Sequence, residues 1–313
     1  MLKSITRTVA TAALASVAMV GAAFAQDQFP SKDITFVVQA AAGGASDRTS
    51  RAIASEIEKD LGVSVIVENR PGATGTVAFA HVAEQPADGY TIGFGPVEFA
   101  IAEHLGYDFN RDDYTYIAQV MNSPVVLAVA ADSPYETLAD VIEAGQEKEI
   151  SISNSGAASA FAATTFTLAN MTGAKLVGVP FDGGAPAVAA ALGGHVDAVT
   201  AGAGETATAF ADGTLKVLAI FADEPHPKFP GVPTAQEVGF DLSFGAWGGV
   251  YGPAGIPEDV RQILEDSVQK AVASQTFLDA VTPAGILPIF KPGAEWREFV
   301  DAEAARYGEV LAE

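Results

Sequence analysis

Cysteine is missing from all 313 residues. Its absence excludes disulfides, thiolate chemistry, iron–sulfur clusters and cysteine-based zinc sites together. Positive charge is scarce as well: 17 Lys and Arg stand against 39 Asp and Glu, a formal net charge of −22. Such a chain offers no basic face to a phosphate backbone or an anionic membrane, so no nucleic-acid partner is expected. Histidine occurs only at His81, His104, His195 and His226, scattered positions that read as surface or structural. A G-x-S-x-G elbow, a P-loop and an H-E-x-x-H helix are also lacking. The acidic run Asp108 to Asp113 has neither the glycine nor the alternation of a calcium loop and reads as a solvated turn. No catalysis, cofactor or metal is therefore expected. What is present is apolar bulk. With 49% hydrophobic and 18% charged residues, disorder is excluded as the overall class, and the length suits about two domains.

The first 25 residues stand apart. Lys3 and Arg7 form a basic start, Val9 to Ala22 an apolar run, and Ala23-Phe24-Ala25 an A-x-A pattern ahead of Gln26. This is the layout of a secretory signal peptide cleaved after Ala25; the run is short and Ala-rich, which argues against a retained anchor. No later apolar stretch is long enough to cross a bilayer. Loss of Lys3 and Arg7 leaves 15 basic against 39 acidic residues, a net −24. An exported, periplasmic protein is expected, in a compartment with no free pool of nucleotide cofactors.

Strands and helices alternate along the rest. Ile34 to Gln39 reads as a strand, then a glycine turn and a helix from Ser46-Asp47 with Ile53, Ile57 and Leu61 on one face. Val63 to Val67 and Tyr90 to Phe94 are further strands, with a helix over Thr76 to Gln85 between them. The pattern repeats after residue 124. Strands are expected at Val125 to Ala130, Ile150 to Ser153, Lys175 to Val179, Val196 to Thr200 and Leu215 to Phe221, and Ser133 to Glu136 reads as a capping box. The four prolines of Asp223 to Pro233 imply an irregular loop. Phe244 to Tyr251 is aromatic and Gly-rich, and helices close the chain. The fold class is α/β, as two α/β units. The economical assembly crosses twice between domains, near Asn122 to Ala130 and Phe244 to Tyr251, and returns the last helices to the first domain. Residues 26–123 plus 251–313 then form one domain and 124–250 the other, including the hinge strands. Ligands bind outside the carboxyl ends of strands in open α/β sheets. That adds Gly95, Pro96, Ala201 and Gly202 to the candidates.

Gly202 to Ala207 matches G-x-G-x-x-A, with Asp223 about twenty residues further on, where a dinucleotide fold keeps its ribose acid. The helix is short, however, and Glu205 would set a carboxylate beside the pyrophosphate. Dinucleotide binding is set aside. The glycine loops suit a different use. In Gly43-Gly44-Ala45-Ser46-Asp47 small residues let N–H groups turn inward at a helix start, which holds a carboxylate without any basic side chain. Ser46 can donate a hydroxyl, and Asp47 can cap the helix or order water. Asn154 to Ser159 is either the same device on the second domain or a plain N-capped helix start.

Several strings carry a family resemblance. They are Ala41 to Asp47, Val67-Glu68-Asn69-Arg70-Pro71-Gly72-Ala73, Asp88-Gly89-Tyr90-Thr91, Pro180 to Pro186, Leu192 to Asp197, Gly231 to Thr234, and Trp247 with Gly252 to Gly255. Together and in this order they resemble the TctC/Bug family, the extracytoplasmic substrate-binding proteins of tripartite tricarboxylate transporters. The resemblance implies a periplasmic-binding-protein (type II-like) architecture: two α/β domains on a two-strand hinge, with the ligand in the interdomain cleft. It implies a monomer that passes a small organic anion of the carboxylate class to one large and one small membrane subunit. Carried over, the site comprises Gly43, Gly44, Ala45, Ser46 and Asp47, faced by Ser155, Gly156, Ala157 and Ser159. Phe181, Asp182, Glu205 and Trp247 join them, while Glu68 to Gly72 and Arg51 read as structural. Departures bear on the ligand. Phe181-Asp182 replaces the Tyr-Lys pair common in relatives, and Gly248 leaves space after Trp247. Asp182, Glu98 and Glu205 either face the cleft or point to solvent; facing the cleft, they disfavour a tricarboxylate such as citrate. A mono- or dicarboxylate, a zwitterion or a partly neutral solute is favoured. Two further readings remain: a ligand sensor docking on a membrane partner, and an exported enzyme whose nucleophile–base pair is not found.

Overall fold

The computed structural model describes residues 29–156, 159–181 and 183–311. The signal segment, Ala157 and Asp182 lie outside the described residues.

In the first domain β1 (Ile34–Val38) leads through the glycine loop into helix α1 (Ala45–Leu61). This helix buries Ile53, Ala54 and Ile57, one turn apart, and ends where Gly62 turns left-handed (φ 71°) and its N–H bonds Glu58 O. β2 (Val65–Asn69), α2 (Thr76–Ala83), β3 (Thr91–Pro96) and the short α3 (Glu98–Ile101) follow. β4 (Tyr114–Ala130) then runs out of this domain and into the next. There come α4 (Leu138–Glu147), β5 (Ile150–Asn154), α5 (Ala160–Thr172), β6 (Leu176–Pro180), α6 (Gly184–Leu192), β7 (Ala198–Gly202), α7 (Ala203–Ala211) and β8 (Leu215–Phe221). β9 (Gly245–Pro253) returns the chain to the first domain, which α8 (Glu258–Val272), α9 (Gln275–Val281), β10 (Leu287–Pro292) and α10 (Gly293–Leu311) complete.

β1 pairs with β2 and β3 in parallel, and β9 joins β3 antiparallel. In the second domain β5 pairs in parallel with β6 and β7, while β7 and β8 flank β4 antiparallel. β4 changes sheet in mid-strand. Residues Tyr114 to Pro124 pair with β9, and Val125 to Ala130 with β7 and β8. The change falls where Pro124 lies opposite Gly245 and Val125 donates to Phe244 O at 2.9 Å. Two α/β domains are thus joined by two adjacent antiparallel crossings, a periplasmic-binding-protein-like fold.

Aromatic rings on bare glycine backbone build the core beside the crossings. Tyr251 covers Gly93, Trp296 covers Gly249, and the Phe94 ring fills the place beside Gly248, where a Cβ would come within 2.3 Å of it. Gly248 therefore serves core packing, and the expected free space after Trp247 is taken up by Phe94.

Three elements differ from the sequence expectations for physical reasons. β4 extends ten residues and more ahead of Val125, because Pro124 sits at the sheet change, where one ladder ends and the other begins. β10 was hidden by Pro288 and Pro292; it is bulged between Pro288 and Lys291 where it pairs with β4. The capping box belongs to Thr137 and Asp140, not to Ser133 to Glu136: Asp140 N–H donates to Thr137 Oγ1, and Asp140 Oδ2 accepts from Thr137 N–H at 2.8 Å.

Candidate functional site

Gly43 is left-handed (φ 87°), and Gly44 extends the chain into the first turn of α1, which leaves the N–H groups of Ala45 and Ser46 without helical acceptors. A closed ring of side chains shapes this loop. Asp47, buried to 3% exposure, accepts from Gly43 N–H at 2.8 Å, Arg51 Nε at 3.1 Å and Asn69 Nδ2 at 2.9 Å. Asn69 Oδ1 accepts from Arg51 Nη2 at 3.0 Å, and Asn69 Nδ2 also reaches Ala40 O. Burial alone would raise the Asp47 pKa, but the bonds from Arg51, Gly43 and Asn69 outweigh it and hold the carboxyl below its ordinary value. The Glu68-to-Gly72 turn is thus structural in a specific way: its Asn69 fixes the glycine loop through Asp47. Ser46 Oγ accepts from Gln39 Nε2 at 3.0 Å.

Two of the chambers between the domains hold expected site residues. The first, of about 350 Å³, is walled by Ala45, Arg48 and Met121 on one side and by Gly202, Gly204 and Glu205 on the other. The second, of about 400 Å³, has Thr74, Val97 and Glu98 facing Ser155, Gly156 and Ser159. Phe161 and Ala246 belong to both walls, so the chambers adjoin. Both volumes fall near the low end of the roughly 300–1,000 Å³ usual for small-molecule sites.

Arg48 is exposed, and among the described residues its guanidinium makes a single long 3.4 Å contact, with Gly43 O. Glu205, across the chamber, turns back on its own helix: Oε2 accepts from Gly202 N–H at 2.9 Å, and Oε1 lies against Gly184 at the start of α6. A carboxylate thus already fills the helix start where the G-x-G-x-x-A reading would put a pyrophosphate. In the second chamber Ser159 caps α5, accepting from Ala162 N–H and donating to Gly156 O at 2.6 Å, while Gly156 N–H donates to Asn154 Oδ1. Glu98 has no cation within 4 Å among the described residues, and desolvation beside Val97, Ile101 and Leu105 raises its pKa.

The profile described as "Tripartite tricarboxylate transporter family receptor" matches residues 49–313. The chain belongs to this family. Its members are periplasmic solute-binding proteins of a transport system, not catalysts. A TctC solute-binding protein from Polaromonas is 28% identical, with a TM-score of 0.86 over 91% of this chain and 99% of that one. MatC from Rhodopseudomonas palustris, solved with bound malate, is 29% identical (TM-score 0.69; 90% and 100% covered). A second Rhodopseudomonas palustris protein, solved with adipate, is 26% identical (TM-score 0.72; 91% and 97% covered).

In this TctC-family chain the expected site residues divide. Ala45 reaches the first chamber wall; Gly43, Gly44 and Ser46 form the loop behind it, and Asp47 is consumed in holding that loop. Ser155, Gly156 and Ser159 wall the second chamber instead of facing Gly43 to Ser46 across one cavity. Gly95 and Pro96 are buried in β3, and the wall begins with the next two residues, Val97 and Glu98. Ala201 is buried in the second-domain core, one residue before Gly202. Phe181 packs against the same core, its N–H donating to Asn154 O. Trp247 is 2% exposed, and its indole N–H donates to Glu303 at 3.0 Å, so it anchors α10 to β9. Sequence reasoning missed Arg48, Thr74, Phe161 and Ala246. Arg48 was visible in principle as the cation one turn past Gly44; Phe161 and Ala246 carry no local signal, since only the docking of the domains brings them together.

Proposed function

We propose that the mature chain, released by cleavage after Ala25, captures a small organic acid between its two domains and delivers it to large and small membrane subunits of a tripartite transporter. The observation that carries this reading is the first chamber, where the free N–H end of α1 and Arg48 face Gly202 to Glu205 of the other domain. A carboxylate between them gains aligned N–H donors and one guanidinium. Gly43, Gly44, Ala45 and Ser46 with Arg48 supply the first-domain half, and Ser155, Gly156, Ala157, Ser159, Phe161 and Gly202 the second-domain half. One cation, opposed by Glu205 and Glu98, suits a mono- or dicarboxylate better than a tricarboxylate. Malate and adipate in the solved relatives support the same class. The domains, divided at Pro124–Val125 and Phe244–Gly245, close on the ligand as a monomer.

Mass spectrometry of the solute released by denaturing freshly purified protein identifies it directly. A thermal-shift panel of C3 to C6 carboxylates, run at about 100 times the dissociation constant, should add roughly 2.7 kcal/mol of stability. Arg48→Gln should weaken that ligand about tenfold or more. A panel in which sugars raise the melting temperature and carboxylates do not would overturn the reading, and so would turnover of the solute.

A further inference from the structure

The second chamber has a charge problem. Among the described residues Glu98 is the one charged side chain on its wall, beside Val97, Ile101, Leu105 and Phe161. Among the described residues its carboxylate has no partner beyond its own backbone N–H. A half-buried carboxylate on an apolar wall with no ionic partner contributes nothing to folding. Glutamine would fill the same space without the charge. The neighbouring acid is different: Glu205 turns back on its own helix, accepting from Gly202 N–H, and lies against the start of α6. The titratable groups facing Glu98 do not neutralise it. Among the described residues Tyr307 on α10 feels its charge and is itself an acid whose burial drives its pKa up, and Arg306 of that helix is committed to Glu303 and Ser243 O.

We propose that Glu98 is the specificity residue of the cleft and selects solutes that bear a protonated amine as well as a carboxylate. This rests on the organic-acid reading above and narrows it. Because Phe161 and Ala246 wall both chambers, one extended solute spans them. Its carboxylate lies at Arg48 and the start of α1, and its ammonium lies at Glu98. The ammonium supplies the counter-charge that the protein withholds, so the half-buried carboxylate is paired only in the loaded cleft. A second carboxylate at that place would meet Glu98 with like charge, and a methyl end would leave it unpaired.

The test uses matched sets of equal length on the mature protein: 4-aminobutyrate, succinate and butyrate, then 6-aminohexanoate, adipate and hexanoate, titrated by calorimetry. In at least one set the amino acid should bind about tenfold or more tighter than the diacid. Glu98→Gln should remove that advantage by about tenfold while leaving the monoacid within about twofold. Circular dichroism and the melting temperature of the variant check that it folds. Diacids binding as well as amino acids, or Glu98→Gln weakening both alike, overturns the role of Glu98 and leaves the organic-acid reading standing. Failure of every carboxylate to bind overturns both. Binding of a simple alkylamine that is lost in Glu98→Gln sinks the organic-acid reading and keeps Glu98 as the amine site.

Discussion

Asp47 satisfies three donors with one carboxylate, so its removal leaves Gly43 N–H without its acceptor and Asn69 Nδ2 with Ala40 O alone. Because Arg51 is half exposed, the ion pair itself adds little. Asp47→Ala should cost about 2–3 kcal/mol in urea unfolding and abolish ligand binding, since the loop loses its shape. Glu98 behaves in the opposite sense. Its folded pKa lies above the ordinary value of 4.5, so folding is favoured below that pH and disfavoured as pH rises through the folded pKa. Glu98→Gln should therefore melt higher than the parent at pH 7 without ligand, the gap closing toward pH 4. A variant that melts lower at pH 7 would show that the charge is matched in the free protein. The two acids look alike in the sequence. Only their neighbours separate a structural carboxylate from an unpaired one.

The segment from the end of α9 into β10 touches the second domain. A Cβ on Gly204 would lie 1.8 Å from Ala284 O, so the start of α7 rests directly on this backbone. His226 adds a directional bond. Nδ1 accepts from Lys228 N–H at 3.1 Å, which leaves Nε2–H to donate to Gly285 O at 3.1 Å and fixes the neutral ring. Burial lowers its pKa below the ordinary 6.5. With the unfolded chain taking up the proton first, stability is full above about pH 6.5 and falls as the pH drops toward the folded pKa. Melting temperatures at pH 7.5 and 5.5 should differ less for His226→Gln than for the parent; an equal difference would remove His226 from the account. The sequence reading of His226 as structural and of Asp223 to Pro233 as an irregular loop gave no hint of this contact, because its partner Gly285 lies 59 residues away.

At the scale of the molecule the charge dominates. A net charge of −22 repels itself, and the ion pairs along α8 and α10, such as Arg261 with Glu258 and Arg297 with Asp301, offset only part of it. Raising salt from about 0.01 to about 0.15 M shortens the screening length from roughly 30 to 8 Å. The melting temperature should rise over that range; a fall would mean that the ion pairs outweigh the repulsion. In the proposed site the ligand is insulated from this acidic shell, since the N–H groups at the start of α1 and the Arg48 guanidinium act over a few ångströms.

Much of the architecture was legible in the residues. Alternating apolar runs and glycine turns are local, and hydrophobic periodicity reports them faithfully, so β1, α1 and β8 lie where Ile34, Ile53, Ile57 and Leu215 put them. The glycine start of α1, the missing catalytic motifs and the family strings were equally local. Tertiary structure decided the rest. It sent Trp247 into the core, set Asp47 to hold its own loop, divided the two glycine loops between adjoining chambers, and left Arg48 and Glu98 facing the cleft. Those outcomes depend on distances between residues far apart in the chain, and the spacing of residues along a sequence carries no record of which side chain a folded partner has already satisfied.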